Sequence, residues 1–228
     1  MNLPNSISAA RIAAAPLLAV LPFIPSVAWR AFAFVLYLVT AMSDRWDGQI
    51  ARSRGLITDL GKVLDPLADK LLLLGTFVPM FLLQGHAEDP LLRLLPEVAE
   101  RSAYPFISWG VGAFWFPWWV LALILGREVF MTWFRTFAQR RGTVIAAQRL
   151  GKWKAGFQYT WMGAAYAWFV LKLLFDQQRW HGPLPTFVAQ LLGAIGIVTM
   201  AVAFVLTLVS LGDYLVRHRA VFGAPPVR

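Results

Sequence analysis

Four aspartates, Asp44, Asp47, Asp65 and Asp69, lie in the run SDRWDGQIARSRGLITDLGKVLDPLADK from Ser43 to Lys70, within a chain that is 58% apolar. With Asp59, the stretch Asp44 to Asp69 carries five of the 12 acidic residues. Apolar runs long enough to cross a bilayer flank it on both sides, and an ionisable side chain at membrane depth costs about 2.5 to 3.5 kcal/mol to insert. Several carboxylates together there need a compensating cation. At about 100° per residue, Asp47 falls near −60° from Asp44, Ala51 near −20°, Gly48 near +40° and Arg52 near +80°, so these residues share one helix face. Gly61, Asp65 and Asp69 recur every four residues and stack on a second helix. Two carboxylate pairs then face each other over Gly48, Ala51 and Gly61, whose small side chains let a ligand approach the backbone. Oxygen donors without histidine or thiolate nearby suit hard cations, Mg²⁺ first and Mn²⁺ second. Two such ions about 3.5 to 4 Å apart stabilise the attacking and leaving oxygens of a displacement at phosphorus. Arg52 adds a fixed positive charge for phosphate oxygens, so the chemistry implied is phosphoryl-type transfer.

The elements that must hold this stretch read as membrane helices. Charged residues make up 14% of the chain, against about 25% in globular domains, so lipid solvates most of it. The formal charge of +9 comes from basic residues flanking apolar segments, which suits anionic lipid head groups and argues against nucleic acid. There is no cysteine, which excludes disulfides and thiolate-metal sites. His86, His181 and His218 are far from the acidic stretch in the chain and read as loop or interface residues. The expected architecture is all-α, a polytopic membrane protein with six transmembrane helices, each needing about 20 apolar residues.

The first segment spans about Ser8 to Val27, with Asn5, Ser6 and Ser8 as candidate N-caps. Ser26-Val27-Ala28 resembles a signal-peptide cleavage site, yet the sole early positive charge is Arg11 and prolines interrupt the run, so the segment reads as a retained span. The second, about Ala28 to Arg52, carries Asp44 and Asp47; the third, about Lys62 to Gln84, carries Asp65 and Asp69. Pro66 either starts this helix with Asp65 as its cap or lies inside a helix that begins near Gly61. A loop from Gly85 to about Pro105 follows, then segments at about Ser108 to Arg135, Ala155 to Phe175 and Phe187 to Val216. Trp115, Trp118 and Trp119 suit an interfacial aromatic belt. Sixteen of the 21 basic residues fall on the side of the acidic stretch and both termini, which assigns that side to the cytoplasm.

The pattern Asp44-x2-Asp47-Gly48-x2-Ala51-Arg52-x8-Gly61-x3-Asp65-x3-Asp69 resembles, position for position, the signature of the CDP-alcohol phosphatidyltransferase family. That resemblance implies a six-helix membrane fold, a homodimer, and a reaction in which an acceptor hydroxyl attacks the lipid-bearing phosphorus of CDP-diacylglycerol and CMP leaves. It implies that Asp44, Asp47, Asp65 and Asp69 hold two Mg²⁺ or Mn²⁺ ions, with Asp69 also the general base. It implies that Gly48, Ala51, Arg52 and Gly61 lie against the CDP moiety. The opening Asn2-Leu3-Pro4-Asn5, the run Leu60 to Lys70, Gly126-Arg127-Glu128 and the run Ile145 to Lys154 resemble the branch whose acceptor is glycerol 3-phosphate. Phosphatidylglycerol, serine and inositol phosphate are the alternative acceptors.

Glycerol 3-phosphate is a small dianion, and Arg127, Arg135, Arg149, Lys152 and Lys154 stand at the cytoplasmic ends of segments four and five, where a phosphate could be clamped. The competing reading makes each an anchor to lipid head groups. Gly193 and Gly196 read as helix-packing contacts, and Asp213 as an interface residue. The catalytic domain is expected to cover residues 1–222, with a disordered tail from Gly223 to Arg228. The compartment expected is a bacterial cytoplasmic membrane. Two other classes use acidic helices, an intramembrane prenyltransferase and a cation transporter. The first takes its acidic motifs from separate helix pairs, and Arg52 would repel the second's permeant ion.

Overall fold

The computed structural model describes residues 2–53, 58–95, 97, 104–141 and 149–217, with the side chains of 44–53, 59, 62, 140 and 149 outside that description. Six α-helices stand among the described residues: α1 Leu3–Val20, α2 Val27–Ser53, α3 Asp59–Gln84, α4 Trp118–Arg140, α5 Arg149–Gln177 and α6 Pro183–Arg217. The tail 223–228 and His218 lie outside the described residues. Among the described residues three stretches are long and apolar enough to cross a membrane, Leu3–Phe23, Val63–Gln84 and Pro183–Arg217, and α2 contains a shorter apolar part, Val27–Ser43. The protein is therefore a membrane protein. Charged residues interrupt the apolar runs of α4 (Arg127, Glu128 and Arg135) and of α5 (Lys152, Lys154 and Lys172).

Helix ends differ from expectation where local chemistry overrides hydropathy. The expected caps at Asn5, Ser6 and Ser8 are corrected: Asn2 caps α1 and accepts from the Asn5 amide at 3.1 Å, and Pro4 takes a first-turn position, where its missing N–H costs nothing. Asn5 and Ser8 are thereby inside the helix and buried. Thr58 caps α3, accepting from the Gly61 amide at 3.0 Å, so Asp65 is not a cap and Pro66 lies inside the helix.

Segment four needs the largest correction. Residues expected to begin a helix near Ser108 instead form a hairpin of β1 Phe106–Ser108 and β2 Gly112–Phe114, pairing Phe106 with Phe114 and Ser108 with Gly112. Gly110 and Gly112 take φ of 73° and 72°, which glycine adopts without steric penalty. Pro117 then precedes α4 at its N-cap. The hairpin packs on α6, where a Cβ on Gly193 would overlap the Ile107 carbonyl and one on Gly196 the Phe106 ring. These glycines are packing contacts, as expected, but toward the hairpin and not toward another helix.

The core lies between α1, α2, α3, α5 and the start of α4, and is largely aromatic. Trp161, fully buried on α5, meets Phe77 of α3 edge-on at 5.1 Å and Phe116 at 4.8 Å, and Tyr37 of α2 stacks on Tyr166 at 5.3 Å. Lipid offers apolar side chains as good a solvent as a neighbouring helix does, so close packing and hydrogen bonds hold such bundles together. The Tyr37 hydroxyl donates to the Tyr159 carbonyl at 2.6 Å, and the Tyr166 hydroxyl to the Leu18 carbonyl at 2.9 Å. At the far end, buried Arg30 donates to the Ile24 and Phe169 carbonyls and lies over the Tyr104 ring. Gly75 brings α1 against α3: a Cβ there would stand 2.6 Å from the Ala15 carbonyl oxygen.

Candidate active site

Asp65 and Asp69 stand one turn apart on α3, with side chains 53% and 55% exposed, and α1 grips both. Nη1 of Arg11 donates to Oδ1 of Asp69 at 2.9 Å, and its Nη2 lies 4.0 Å from Oδ1 of Asp65. The Ser8 hydroxyl donates to that same Asp65 oxygen. One turn nearer the terminus, Asn5 Nδ2 donates to Thr58 Oγ1 at 3.0 Å, tying α1 to the cap of α3. Asn5, Ser8 and Arg11 recur every three residues and so fall on one side of the helix. Gly61 belongs to this seam as well, since a Cβ there would meet Asn5 Oδ1 at 2.8 Å. Sequence reasoning used Arg11 only to count charge. The signal that could have found it is a lone ionisable residue within an apolar span.

A second cluster faces Asp69 across a cavity. Glu128 of α4 accepts from Arg127 Nη1 at 2.8 Å and from Lys154 Nζ of α5, while Arg127 Nη2 reaches Ser210 Oγ of α6 at 3.4 Å. These contacts link three helices. Asp69, Glu128 and Lys154 line one cavity of about 180 Å³ together with Tyr37, Thr40 and Tyr159. Tyr37, Ala41 and Tyr159 also line an apolar groove of about 490 Å³ between α2, α5 and α6. Asp69 and Glu128 reappear in a third space, about 410 Å³, between α3 and α4.

Of the expected site residues, Asp69 and Lys154 line one cavity, Asp65 stands one turn from Asp69, and Gly61 packs against Asn5 of α1. Arg127 is committed to Glu128 and Ser210, and Arg135 and Lys152 are exposed on the helix ends. The side chain of Arg149 lies outside the described residues. The same holds for Asp44, Asp47, Gly48, Ala51 and Arg52, although their backbone continues α2 without a break. Thr40 and Ala41 line the Asp69 cavity, and positions 44 and 48 follow Thr40 at successive intervals of four on the α2 backbone. Among the described residues no group of three or more His, Asp or Glu forms a metal cluster. Asp65 and Asp69 supply two exposed carboxylates of the hard-oxygen kind that Mg²⁺ and Mn²⁺ prefer. They fit half of a ligand set.

The sequence profile of CDP-alcohol phosphatidyltransferases matches residues 1–222. The chain belongs to the CDP-alcohol phosphatidyltransferase family. Within the family it is 40% identical over 95 residues to a CDP-diacylglycerol–glycerol-3-phosphate 3-phosphatidyltransferase of Rickettsia bellii, covering 41% of this chain and 52% of that one. It is 30% identical over 188 residues to a protein of Mycobacterium tuberculosis named probable phosphatidylglycerophosphate synthase, covering 82% of this chain and 66% of that one. A CMP-forming cardiolipin synthase of Oryza sativa is 33% identical over 165 residues, covering 70% of this chain and 44% of its own length. The chain thus spans about half to two thirds of these relatives' lengths. Family membership displaces the prenyltransferase and cation-transporter readings.

Proposed function

We propose that this protein transfers a phosphatidyl group from CDP-diacylglycerol to glycerol 3-phosphate, giving phosphatidylglycerophosphate and CMP in the synthesis of anionic phospholipids. The observation that supports this most is the continuity of three features: the Asp69 carboxylate, the buried Lys154 ammonium in the same cavity, and an apolar groove sharing that cavity's wall. A carboxylate site, a cation for an acceptor phosphate and space for acyl chains are what the reaction needs.

The family generally depends on a divalent metal. Asp44, Asp47, Asp65 and Asp69 would hold two Mg²⁺ or Mn²⁺ ions, which supply positive charge to the phosphate oxygens in the displacement. Gly48, Ala51, Arg52 and Gly61 lie against the CDP moiety. The acceptor hydroxyl oxygen bonds to the phosphorus bearing the diacylglycerol, and the bond from that phosphorus to the CMP oxygen breaks. CMP leaves with the electron pair, and the hydroxyl proton passes to Asp69. Lys154 meets the acceptor phosphate, with Arg127, Arg135, Arg149 and Lys152 as further candidates around it. Six spans, a cytoplasmic active site in a bacterial inner membrane, and a homodimer complete the reading.

The test is CMP release by purified protein given CDP-diacylglycerol, Mg²⁺ and a panel of acceptors. Glycerol 3-phosphate is expected to be preferred. A preference for phosphatidylglycerol, serine or inositol phosphate moves the acceptor assignment within the family. No CMP with any acceptor refutes the transferase reading.

A further inference from the structure

Arg11 is the one charged residue of α1, and it is 2% exposed. An unpaired guanidinium buried in an apolar helix is costly, and contacts that offset the cost lead to the candidate site. Arg11 donates to Asp69 Oδ1 at 2.9 Å and approaches Asp65 Oδ1 at 4.0 Å, while fully buried Ser8 donates to Asp65 Oδ1. Both carboxylates remain about half exposed on their other sides, 53% and 55%. They are gripped from behind by α1 and open in front. The grip is close-packed: Gly75 seats the Ala15 backbone directly on α3, and the Asn5–Thr58 pair ties the opposite end of the seam.

We propose that Arg11, supported by Ser8, is a positioning residue for the metal-binding carboxylates, holding Asp65 and Asp69 in a fixed mutual orientation before a divalent ion arrives. This rests on the metal-dependent reading above and adds to it a helix outside the acidic motif. Two possible roles for Arg11 differ in sign. A cation this close to the site repels divalent ions, so a residue acting only as counter-charge would, once removed, leave ions bound more tightly. A positioning residue, once removed, leaves two side chains that the ion must order for itself, and binding weakens. Partners that orient metal ligands in this way are typically worth about 10- to 100-fold in metal affinity. Arginine suits the task because its planar fork can address two carboxylates at once, which an ammonium cannot.

The experiment is a titration of the full-length protein in detergent with Mn²⁺, followed by the loss of the free-ion electron paramagnetic resonance signal. It is paired with CMP release over a range of Mn²⁺ concentrations. For Arg11→Met the Mn²⁺ dissociation constant is expected to rise about 10- to 100-fold. The half-saturating Mn²⁺ for CMP release should rise in step, excess Mn²⁺ should restore turnover, and KM for CDP-diacylglycerol at saturating Mn²⁺ should be unchanged. Arg11→Lys should recover part of the loss, since it keeps a cation for Asp69 alone. Ser8→Ala removes a hydroxyl within reach of both Asp65 Oδ1 and the Pro4 carbonyl but no charge, and should weaken Mn²⁺ about tenfold, the scale of a single bond to a charged group. It also keeps the inference testable if Arg11→Met does not fold. Unchanged or tighter Mn²⁺ binding in the folded variants, beside a wild type that binds Mn²⁺ and releases CMP, overturns the positioning role and leaves the proposed function standing. A wild type that neither binds Mn²⁺ nor releases CMP overturns the function itself.

Discussion

Glu128 is the hinge of the second cluster, and replacing it by glutamine tests whether the three-helix link is as asymmetric as its geometry implies. Arg127 Nη1 stands 2.8 Å from Glu128 Oε1, with side chains 10% and 28% exposed, and Lys154, 7% exposed, contacts the same oxygen. At 2.8 Å and an effective dielectric constant of about 20, one such pair attracts by about 6 kcal/mol before desolvation is subtracted. Desolvation consumes most of that, so the measurable quantity is the cost of leaving a buried charge alone, about 3 to 5 kcal/mol. Glu128→Gln strands two cations at once and should reach that range. Lys154→Met leaves Glu128 with Arg127, and should cost about 1 to 2 kcal/mol, a fraction of the full penalty for an unpaired charge. The double variant should recover part of the Glu128→Gln loss, a coupling of about 1 to 3 kcal/mol. With no cysteine and 11 tryptophans, unfolding in detergent is best followed by intrinsic fluorescence. Two results refute the reasoning: Lys154→Met destabilising as much as Glu128→Gln, or single losses that add within about 0.5 kcal/mol in the double variant.

Three further outcomes are expected. Asp69→Asn should lower CMP release at least about a hundredfold, the usual minimum for losing a general base, while equilibrium dialysis still detects bound CDP-diacylglycerol; equal loss of both would make Asp69 a binding residue. Gly193→Ala should lower the melting midpoint by overpacking α6 against the Ile107 carbonyl, at a cost of about 1 to 3 kcal/mol, and an unchanged midpoint would mean that the hairpin is not seated there. Trp161→Ala empties the middle of the aromatic core and should cost about 3 to 5 kcal/mol, read from the same fluorescence melt and visible as a loss of near-ultraviolet circular dichroism.

The α3 part of the candidate site was legible because it depends on local periodicity. Gly61, Asp65 and Asp69 repeat every four residues, and α3 does carry them as an unbroken helix past Pro66. The helices were legible for a similar reason, since apolar runs between charge clusters mark helical segments, and three of these are long and apolar enough among the described residues to cross a membrane. The hairpin at 106–114 was not, because Ile107, Val111 and Phe114 are as apolar as helix residues; what decides the conformation is the pair of positive-φ glycines, read only when the turn is already suspected. The start of α1 was misread because several residues in a row could cap equally well, whereas for α3 the alternative of a helix beginning near Gly61 with Pro66 inside it holds. Tertiary contacts chose among them, placing Ser8 on Asp65 and leaving Asn2 to cap.

What hydropathy could not show is which distant residues complete the site. Asp65 and Asp69 meet Arg11 and Ser8 across more than fifty positions of chain, and Glu128 meets Lys154 across another helix connection. Neither link has a periodic signature, yet both leave the same trace in sequence: a charged residue where lipid or core should allow none. In a soluble protein a lone arginine near an apolar run carries little information, because water lies close by. In a membrane helix the cost of an unpaired charge makes each one a statement that a partner exists. Arg11, Arg30, Glu128 and Lys154 all obey it here, with partners on another helix or another part of the backbone. Two of the four point toward the cavity that holds Asp69, Glu128 and Lys154, and Arg11 bonds Asp69 directly. Arg30 marks the opposite end of the bundle, where its partners are backbone carbonyls and a tyrosine ring. The difference separates anchoring from chemistry: a buried cation satisfied by carbonyls ends there, whereas one satisfied by exposed carboxylates orients groups that still have a face to offer.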